Sequence, residues 1–289
     1  MISKSTLLHL RVPFSLFLMP IFLFAVGISV QPKAFNIVLS FVILHFFIYP
    51  ASNGYNSYFD KDEKSIGGLK NPPAVSKQLY YTSLIFDLLG TGLAFLLSWQ
   101  FALMVFIYGL VSKAYSHPTI RLKQYPWWSW GITGLFQGFF TFWMVYMAVN
   151  GLRFDAILEP VATLAAILST ITLWGSYPLT QIYQHEEDSK RGDISLSYYL
   201  GKKVTFHFSA SIFALAAFCY SMFFSFYYNT RLLIYFLIFT APIIIYFVVW
   251  YLRVVKDPAK ADYHHAMTMN LISSLAFSAY FLLFYFIKG

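Results

Sequence analysis

Long apolar runs, separated by short polar connections, fill the chain from end to end. The runs are continuous rather than alternating, so they read as helices and not as strands of a β-barrel. Each is close to the about 20 residues that a helix needs to cross a bilayer. About nine spans can be drawn, at roughly 10–31, 34–54, 78–98, 101–117, 129–150, 161–183, 206–227, 231–252 and 266–287, with ends good to a few residues. The stretch 77–118 is too long for one span and must fold back, with "SWQF" at 98–101 as the turn. The first span is too long for a cleavable signal peptide, and no small-residue cleavage site follows it. A bilayer satisfies no backbone polar groups, so the spans must be helical. The pattern predicts an all-α, polytopic membrane protein, one domain over 1–289, with about nine helices bundled around a central cavity.

Composition agrees. The 289 residues are 58% hydrophobic and 21% aromatic, and only 11% are charged. A soluble domain would carry about 25% charged residues. The formal charge is +8, and its distribution carries more information than its size. Nine spans put all but four of the 20 Lys and Arg residues on the side of the N-terminus, the exceptions being Lys33, Arg153, Arg231 and Lys288. The positive-inside rule makes that side cytoplasmic, with a bacterial inner membrane the expected location. Basic charge so placed points to membrane lipids as neighbours and not to nucleic acid. Cys219 is the only cysteine, which excludes an intramolecular disulfide and a thiolate metal site.

The acidic residues are clustered. Asp60, Asp62 and Glu63 follow the second span; Glu186, Glu187, Asp188 and Asp193 follow the sixth; Asp257 and Asp262 follow the eighth. All lie on the cytoplasmic side. Asp155 and Glu159 fall on the other side, and Asp87 lies within the third span. Solvated loops would explain acidity alone, but the spacing says more. Asn56 and Asp60 are four apart, as are Gln184 and Asp188, so each pair shares a helix face where a span meets water. Converging carboxylate and amide oxygens suit Mg²⁺, which keeps several waters and also binds substrate phosphates. Between the two acidic clusters lies "YSHPTIRLK", 115–123, where Arg121 offers a fork and Lys123 a point charge to phosphate oxygens. Metal and bases on one membrane face point to a diphosphate.

The order of these features resembles the UbiA family of intramembrane prenyltransferases: nine spans, N-x-x-x-D ending the second, YSxPxxRLK ending the fourth and an acidic motif ending the sixth. Family members carry two aspartate-rich motifs, often N-D-x-x-D-x-x-x-D and D-x-x-x-D, that hold Mg²⁺ on the diphosphate of an allylic prenyl donor. The resemblance implies that Asn56, Asp60, Gln184 and Asp188 face the metal, and that Arg121 and Lys123 form the basic loop. It also implies a substrate contact for Arg11, which otherwise reads as a snorkelling anchor. The chain departs from the family pattern at Ser57, Lys64 and Gln184, each standing where an aspartate is common. Asp62 can supply a carboxylate near the position of Lys64.

The chemistry these residues permit is ionisation of an allylic diphosphate. Mg²⁺, Arg121 and Lys123 would neutralise the leaving group, with Lys190 and Arg191 as further cations. Aromatic faces would stabilise the allylic cation, and Tyr55 and Tyr58 beside the first motif are the expected ones. Trp127, Trp128 and Trp130 read as interfacial anchors. Asp87 reads either as a buried structural pair or as an acceptor contact. His185 reads as solvated. The acceptor is expected to be hydrophobic or aromatic, and no residue identifies it further. Two other readings stay open: transfer of another diphosphate-activated group such as phosphoribosyl, and secondary transport.

Overall fold

The computed structural model describes residues 2–154 and 159–288, and Asp155 lies outside them. Among the described residues the regular elements are all helical. The first six are α1 (Lys4–Ile28), α2 (Ala34–Asp60), α3 (Lys77–Ala94), α4 (Trp99–Ser116), α5 (Pro126–Asn150) and α6 (Pro160–Gln181). Two short helices follow, α7 (His185–Arg191) and α8 (Leu196–Leu200). Three long ones complete the chain: α9 (Lys202–Tyr227), α10 (Thr230–Lys256) and α11 (Tyr263–Ile287). Seven of the nine longer helices are long and apolar enough to cross a membrane. The other two, α3 and α4, have 18 residues each. They meet at the expected turn, where the Ser98 hydroxyl caps α4 by accepting the Phe101 N–H at 3.1 Å.

Two helix ends differ from the sequence reading, and both matter for the site. Helix α2 continues to Asp60, where Lys61 stops it in the left-handed conformation (φ 52°), so the Asn56–Asp60 pair sits within regular helix. Helix α6 stops at Gln181, three residues before Gln184. Gln184 therefore stands in the turn before α7, where its carbonyl accepts the Asp188 N–H at 2.9 Å. The four-residue spacing is kept, but the helix that carries it is α7 and not the span.

Aromatic side chains from four helices fill the centre of the bundle. Phe24 of α1 stacks on Phe281 of α11 at 4.3 Å and meets Phe142 of α5 edge-on at 5.5 Å, with Tyr220 of α9 beside it. The outward faces are apolar too, with Val38, Leu88, Phe218, Ile245 and Phe286 exposed, as a lipid-facing surface requires. Helices α5 and α6 cross closely at Gly138. A π-helical turn over Leu135–Phe140 brings Gly138 against Thr170, whose hydroxyl accepts the Phe139 N–H at 2.8 Å. A Cβ at Gly138 would lie 2.6 Å from Thr170 Cα. Gly138→Ala is therefore expected to destabilise the bundle by about 1–3 kcal/mol, read as a lower thermal midpoint in detergent. An unchanged midpoint would mean that the crossing opens at no cost.

The polar connections gather at one end. Ser5 donates to Ala74 O at 2.7 Å, Lys64 pairs with Glu186, and Lys202 donates to Pro258 O at 3.0 Å. Asp87 is not at that end. It forms an ion pair with Lys113 across the α3–α4 contact, and Lys113 also donates to Gly109 O at 3.3 Å. The two half-buried charges neutralise each other.

Candidate active site

Two adjoining cavities occupy the bundle. A polar one of about 230 Å³ lies at the charged end. A larger one of about 540 Å³, walled mainly by apolar side chains such as Phe17, Ile21, Phe213 and Ile243, lies deeper. Phe14, Ser52, Asn53, Tyr108, Gln137, Tyr177 and Thr180 line both, so the two adjoin.

Helical periodicity builds the first wall. Ser52, Asn53, Asn56 and Asp60 fall on one stripe of α2 and face the polar cavity. Asn56 donates its amide N–H to the Ser116 hydroxyl at 2.7 Å, so its oxygen is not used in that bond. Asp60 is buried and ion-paired to Lys123, with the Arg121 guanidinium 3.8 Å away. Asp62, just past the helix, pairs with Arg191.

Helix α7 and the turn after it build the opposite wall. Gly192 takes a positive φ of 73°, which a glycine adopts without strain, and sends the chain back so that Asp193 faces the cavity. Asp193 is 2% exposed. It accepts Arg121 Nε at 2.7 Å and Nη2 at 2.9 Å, and it lies 3.2 Å from both Lys123 Nζ and Arg191 Nε. Arg191 also donates to Asp188 at 2.9 Å and lies 3.8 Å from Glu187. The result is a closed mesh of alternating charge across the cavity. Burial opposes the charge on Arg191, yet Asp62 and Asp60 hold its pKa above the usual guanidinium value. Burial likewise pushes against ionisation of Asp193, and the bonds from Arg121 and Lys123 still keep it below the usual carboxylate range. Asp188 goes the other way: burial raises it to about 6, and Arg191 and Lys123 only partly offset this.

The structure gathers most of the expected residues. Arg11, Asn56, Asp60, Asp62, Lys123, Gln184, Asp188 and Arg191 all line the polar cavity. Arg11 is buried and donates to Gly67 O at 3.0 Å and Asn53 O at 3.2 Å, so it is no snorkelling anchor. Four expectations are not matched by where the side chains lie. Tyr55 and Tyr58 lie outside the wall, packed against Tyr80 of α3 at 5.9 and 5.1 Å. Successive helical residues turn by about 100°, so a stripe that aims Asn56 and Asp60 inward turns both tyrosines away. Arg121 does not line the cavity itself; it is held by Asp193 and lies 3.8 Å from Asp60, both of which do. Lys190 is exposed and pairs with Glu186 at 3.1 Å on the outer face of α7. His185 is not solvated: it bonds the Ser197 hydroxyl at 2.8 Å, and burial lowers its pKa to about 4. Lys190→Ala is accordingly expected to leave donor affinity and turnover within about twofold of wild type, as for an exposed pair. A tenfold loss in a steady-state assay would put Lys190 back in the site.

Sequence reasoning gave Asp193 only as a member of the acidic cluster and missed Tyr115, Tyr177 and Gln181, all of which line the cavity. For Asp193 the available signal was Gly192, a chain-reversing residue directly after an acidic helix. For Tyr177 and Gln181 it was their spacing of four, one turn ahead of Gln184.

The bundle thus holds a charged cavity at one end and an apolar one beside it. The family model described as UbiA prenyltransferase family matches residues 15–275, and the chain belongs to that family. Among solved structures, a UbiA homologue from Archaeoglobus fulgidus bound to DMAPP and Mg²⁺ is similar, with a TM-score of 0.69 at 18% identity over 98% of this chain and 100% of that one. The same homologue bound to GPP and Mg²⁺ gives 0.67 at 18% over the same shares. A structure of digeranylgeranylglyceryl phosphate synthase gives 0.59 at 19%, over 97% of this chain and 98% of that one. At these identities the likeness establishes the fold. No curated protein sequence matches the chain.

Proposed function

We propose that this protein transfers a prenyl group from an allylic prenyl diphosphate to a hydrophobic or aromatic acceptor inside the membrane, with Mg²⁺. The observation that carries the reading is the adjacency of the two cavities: an ion-lined space for the diphosphate adjoins an apolar space for the tail. Solved relatives of this fold hold DMAPP or GPP together with Mg²⁺, which supports the same ligands here. Two competing readings fit less well. A phosphoribosyl group would leave the apolar cavity unfilled. A transporter would call for an unpaired ionisable group at depth, and Asp87 is paired.

The residues fit Mg²⁺ in donor chemistry. Among the described residues, no three His, Cys, Asp or Glu side chains are grouped to hold a metal by themselves. Mg²⁺ does not require such a group, because it usually binds through one or two carboxylates plus substrate phosphates and water. Asp60 and Asp188 would supply the carboxylates, with Asn56, Gln184 and Asp62 as further oxygens around the same space. When bound, the ion supplies a Lewis acid that neutralises charge on the leaving diphosphate.

The chain's own residues do the rest. Lys123 and Arg191 would exchange their carboxylate partners for diphosphate oxygens, stabilising the negative charge that develops there. The C1–O bond of the donor breaks with its electron pair going to the diphosphate. Phe14 and Tyr108 line both cavities, and an aromatic ring whose face meets an allylic cation stabilises it by about 0.5–2 kcal/mol. A new bond forms from the acceptor to C1, and the acceptor's proton passes to the diphosphate or to a cavity carboxylate. The test is purified protein with Mg²⁺, a series of prenyl diphosphates and a set of acceptors, with product mass and free diphosphate as readouts. Mg²⁺-dependent release of diphosphate is the expected result. Failure to bind or consume any donor would overturn the reading.

The charged end is read as cytoplasmic, because it carries most of the Lys and Arg residues. A reporter inserted in the 61–76 connection should read cytoplasmic and one after Lys288 extracytoplasmic. Both reporters on one side would reject that orientation.

A further inference from the structure

We propose that Arg191 is a built-in cation of the site, standing where a second divalent ion would bridge the two acidic walls, so that this protein holds diphosphate with a single Mg²⁺. The inference rests on the prenyl-transfer reading, which brings Mg²⁺ and a diphosphate together in the polar cavity.

Each nitrogen of the Arg191 guanidinium meets a carboxylate. Nη1 pairs with Asp62 and lies 3.8 Å from Glu187, Nη2 donates to Asp188 at 2.9 Å, and Nε donates to Asp193 at 3.2 Å. Asp62 follows α2, and the other three belong to α7 and the turn after it. One side chain therefore ties the two acidic motifs together. Its place in the sequence makes this possible: Arg191 ends α7, three residues after Asp188 and four after Glu187, so all three share a helix face. Gly192 then reverses the chain, and the Asp193 N–H returns to Asp188 O at 2.9 Å, which brings the fourth carboxylate to the same guanidinium. Arg191 lines the polar cavity with its side chain 17% exposed, so an anion in the cavity can reach it as well. A planar cation with several N–H groups bridges carboxylate and phosphate oxygens at once. In phosphate sites with two divalent ions, the metals do that bridging.

The charge balance points the same way. The polar cavity is lined by four carboxylates, Asp60, Asp62, Asp188 and Asp193, and by three cations, Arg11, Lys123 and Arg191. Arg121 and Glu187, of opposite charge, touch this set from outside the lining. The excess is a single negative charge, which one divalent ion more than cancels. A second ion would have to enter among the carboxylates that Arg191 already holds, against its positive charge. The departures from the family pattern agree. Ser57, Lys64 and Gln184 each stand where an aspartate is common, and Lys64 is exposed and paired with Glu186. The chain has fewer carboxylates to offer a second ion, and a tethered cation in its place.

The test counts metal ions on the full chain in detergent, with Mn²⁺ as the probe for Mg²⁺ and inorganic diphosphate as the anion. Equilibrium dialysis gives the ratio of bound Mn²⁺ to bound diphosphate, and electron paramagnetic resonance shows whether the bound ions are spin-coupled neighbours. The wild-type protein is expected to bind one uncoupled Mn²⁺ per diphosphate. Arg191→Gln, which removes the charge, is expected to bind two coupled ions per diphosphate, and Arg191→Lys, which keeps the charge, to stay at one. A purely structural role for Arg191 would weaken binding of metal and diphosphate together and leave the ratio unchanged. Two coupled ions in the wild-type protein, or one ion still in a folded Arg191→Gln, overturns the proposal. Should Arg191→Gln not fold, the wild-type count and Arg191→Lys still decide. The two readings fail separately. If the wild-type protein binds no diphosphate with Mn²⁺, the prenyl-transfer reading falls and takes this inference with it, whereas diphosphate bound with two ions rejects the role of Arg191 alone.

Discussion

Asp60→Asn is expected to lower prenyl transfer at least about a hundredfold, while the protein extracts and melts as wild type does. Asp60 ends α2, is 7% exposed and faces both the cavity and Lys123. The substitution keeps the shape of the side chain and removes its charge. A metal oxygen ligand is weakened, and Lys123 is left to Asp193 alone, 3.2 Å away. Folding should tolerate this because Lys123 retains one carboxylate. Initial rates at saturating donor, with thermal melts on the same preparations, give the answer. Turnover within threefold of wild type would remove Asp60 from the site.

Arg191→Ala is expected to act mainly on the assembly of the site. Arg191 joins Asp62, Asp188, Asp193 and Glu187 across two walls of the cavity. Removing it leaves a group of mutually repelling, largely buried carboxylates. Breaking one partner out of a buried pair costs about 3–5 kcal/mol, and Arg191 is partly reached by solvent, so the lower part of that range is expected. The thermal midpoint should fall, and added Mg²⁺ should restore part of it, because a divalent cation can replace the missing positive charge. Turnover should fall with donor affinity. A midpoint equal to that of wild type with no Mg²⁺ dependence would mean that the mesh contributes nothing to the fold.

What could be read from the sequence divides along a physical line. The helices were legible because a bilayer allows only long apolar segments, and even the α3–α4 reversal showed as a polar break near Ser98. Asn56 and Asp60 were legible because a spacing of four on a helix is also a direction in space. Tyr55 and Tyr58 were misplaced by sequence nearness, which ignores that same direction. The choice between Lys190 and Arg191 turns on one residue of helical phase, about 100°, which a short helix with an undefined start does not reveal. Asp193 belongs to neither acidic motif by spacing, and only the reversal at Gly192 brings it back to Asp188.

The shortness of α3 and α4 has a consequence for the surrounding lipid. At 1.5 Å per residue, each is about 27 Å long, whereas the 27 residues of α10 reach about 40 Å. The hydrocarbon slab of a typical membrane is about 30 Å thick, so α3 and α4 fall short of it while α10 exceeds it. Lipids along α3 and α4 must compress, and α10 must tilt, at fractions of a kcal/mol per ångström of mismatch. A membrane thinned beside α3 and α4 is the expected accommodation, on the side where α4 carries Tyr115 and Ser116 into the polar cavity. Thinning there shortens the distance between headgroup water and the reaction site, and activity in reconstituted vesicles should fall as acyl chains lengthen.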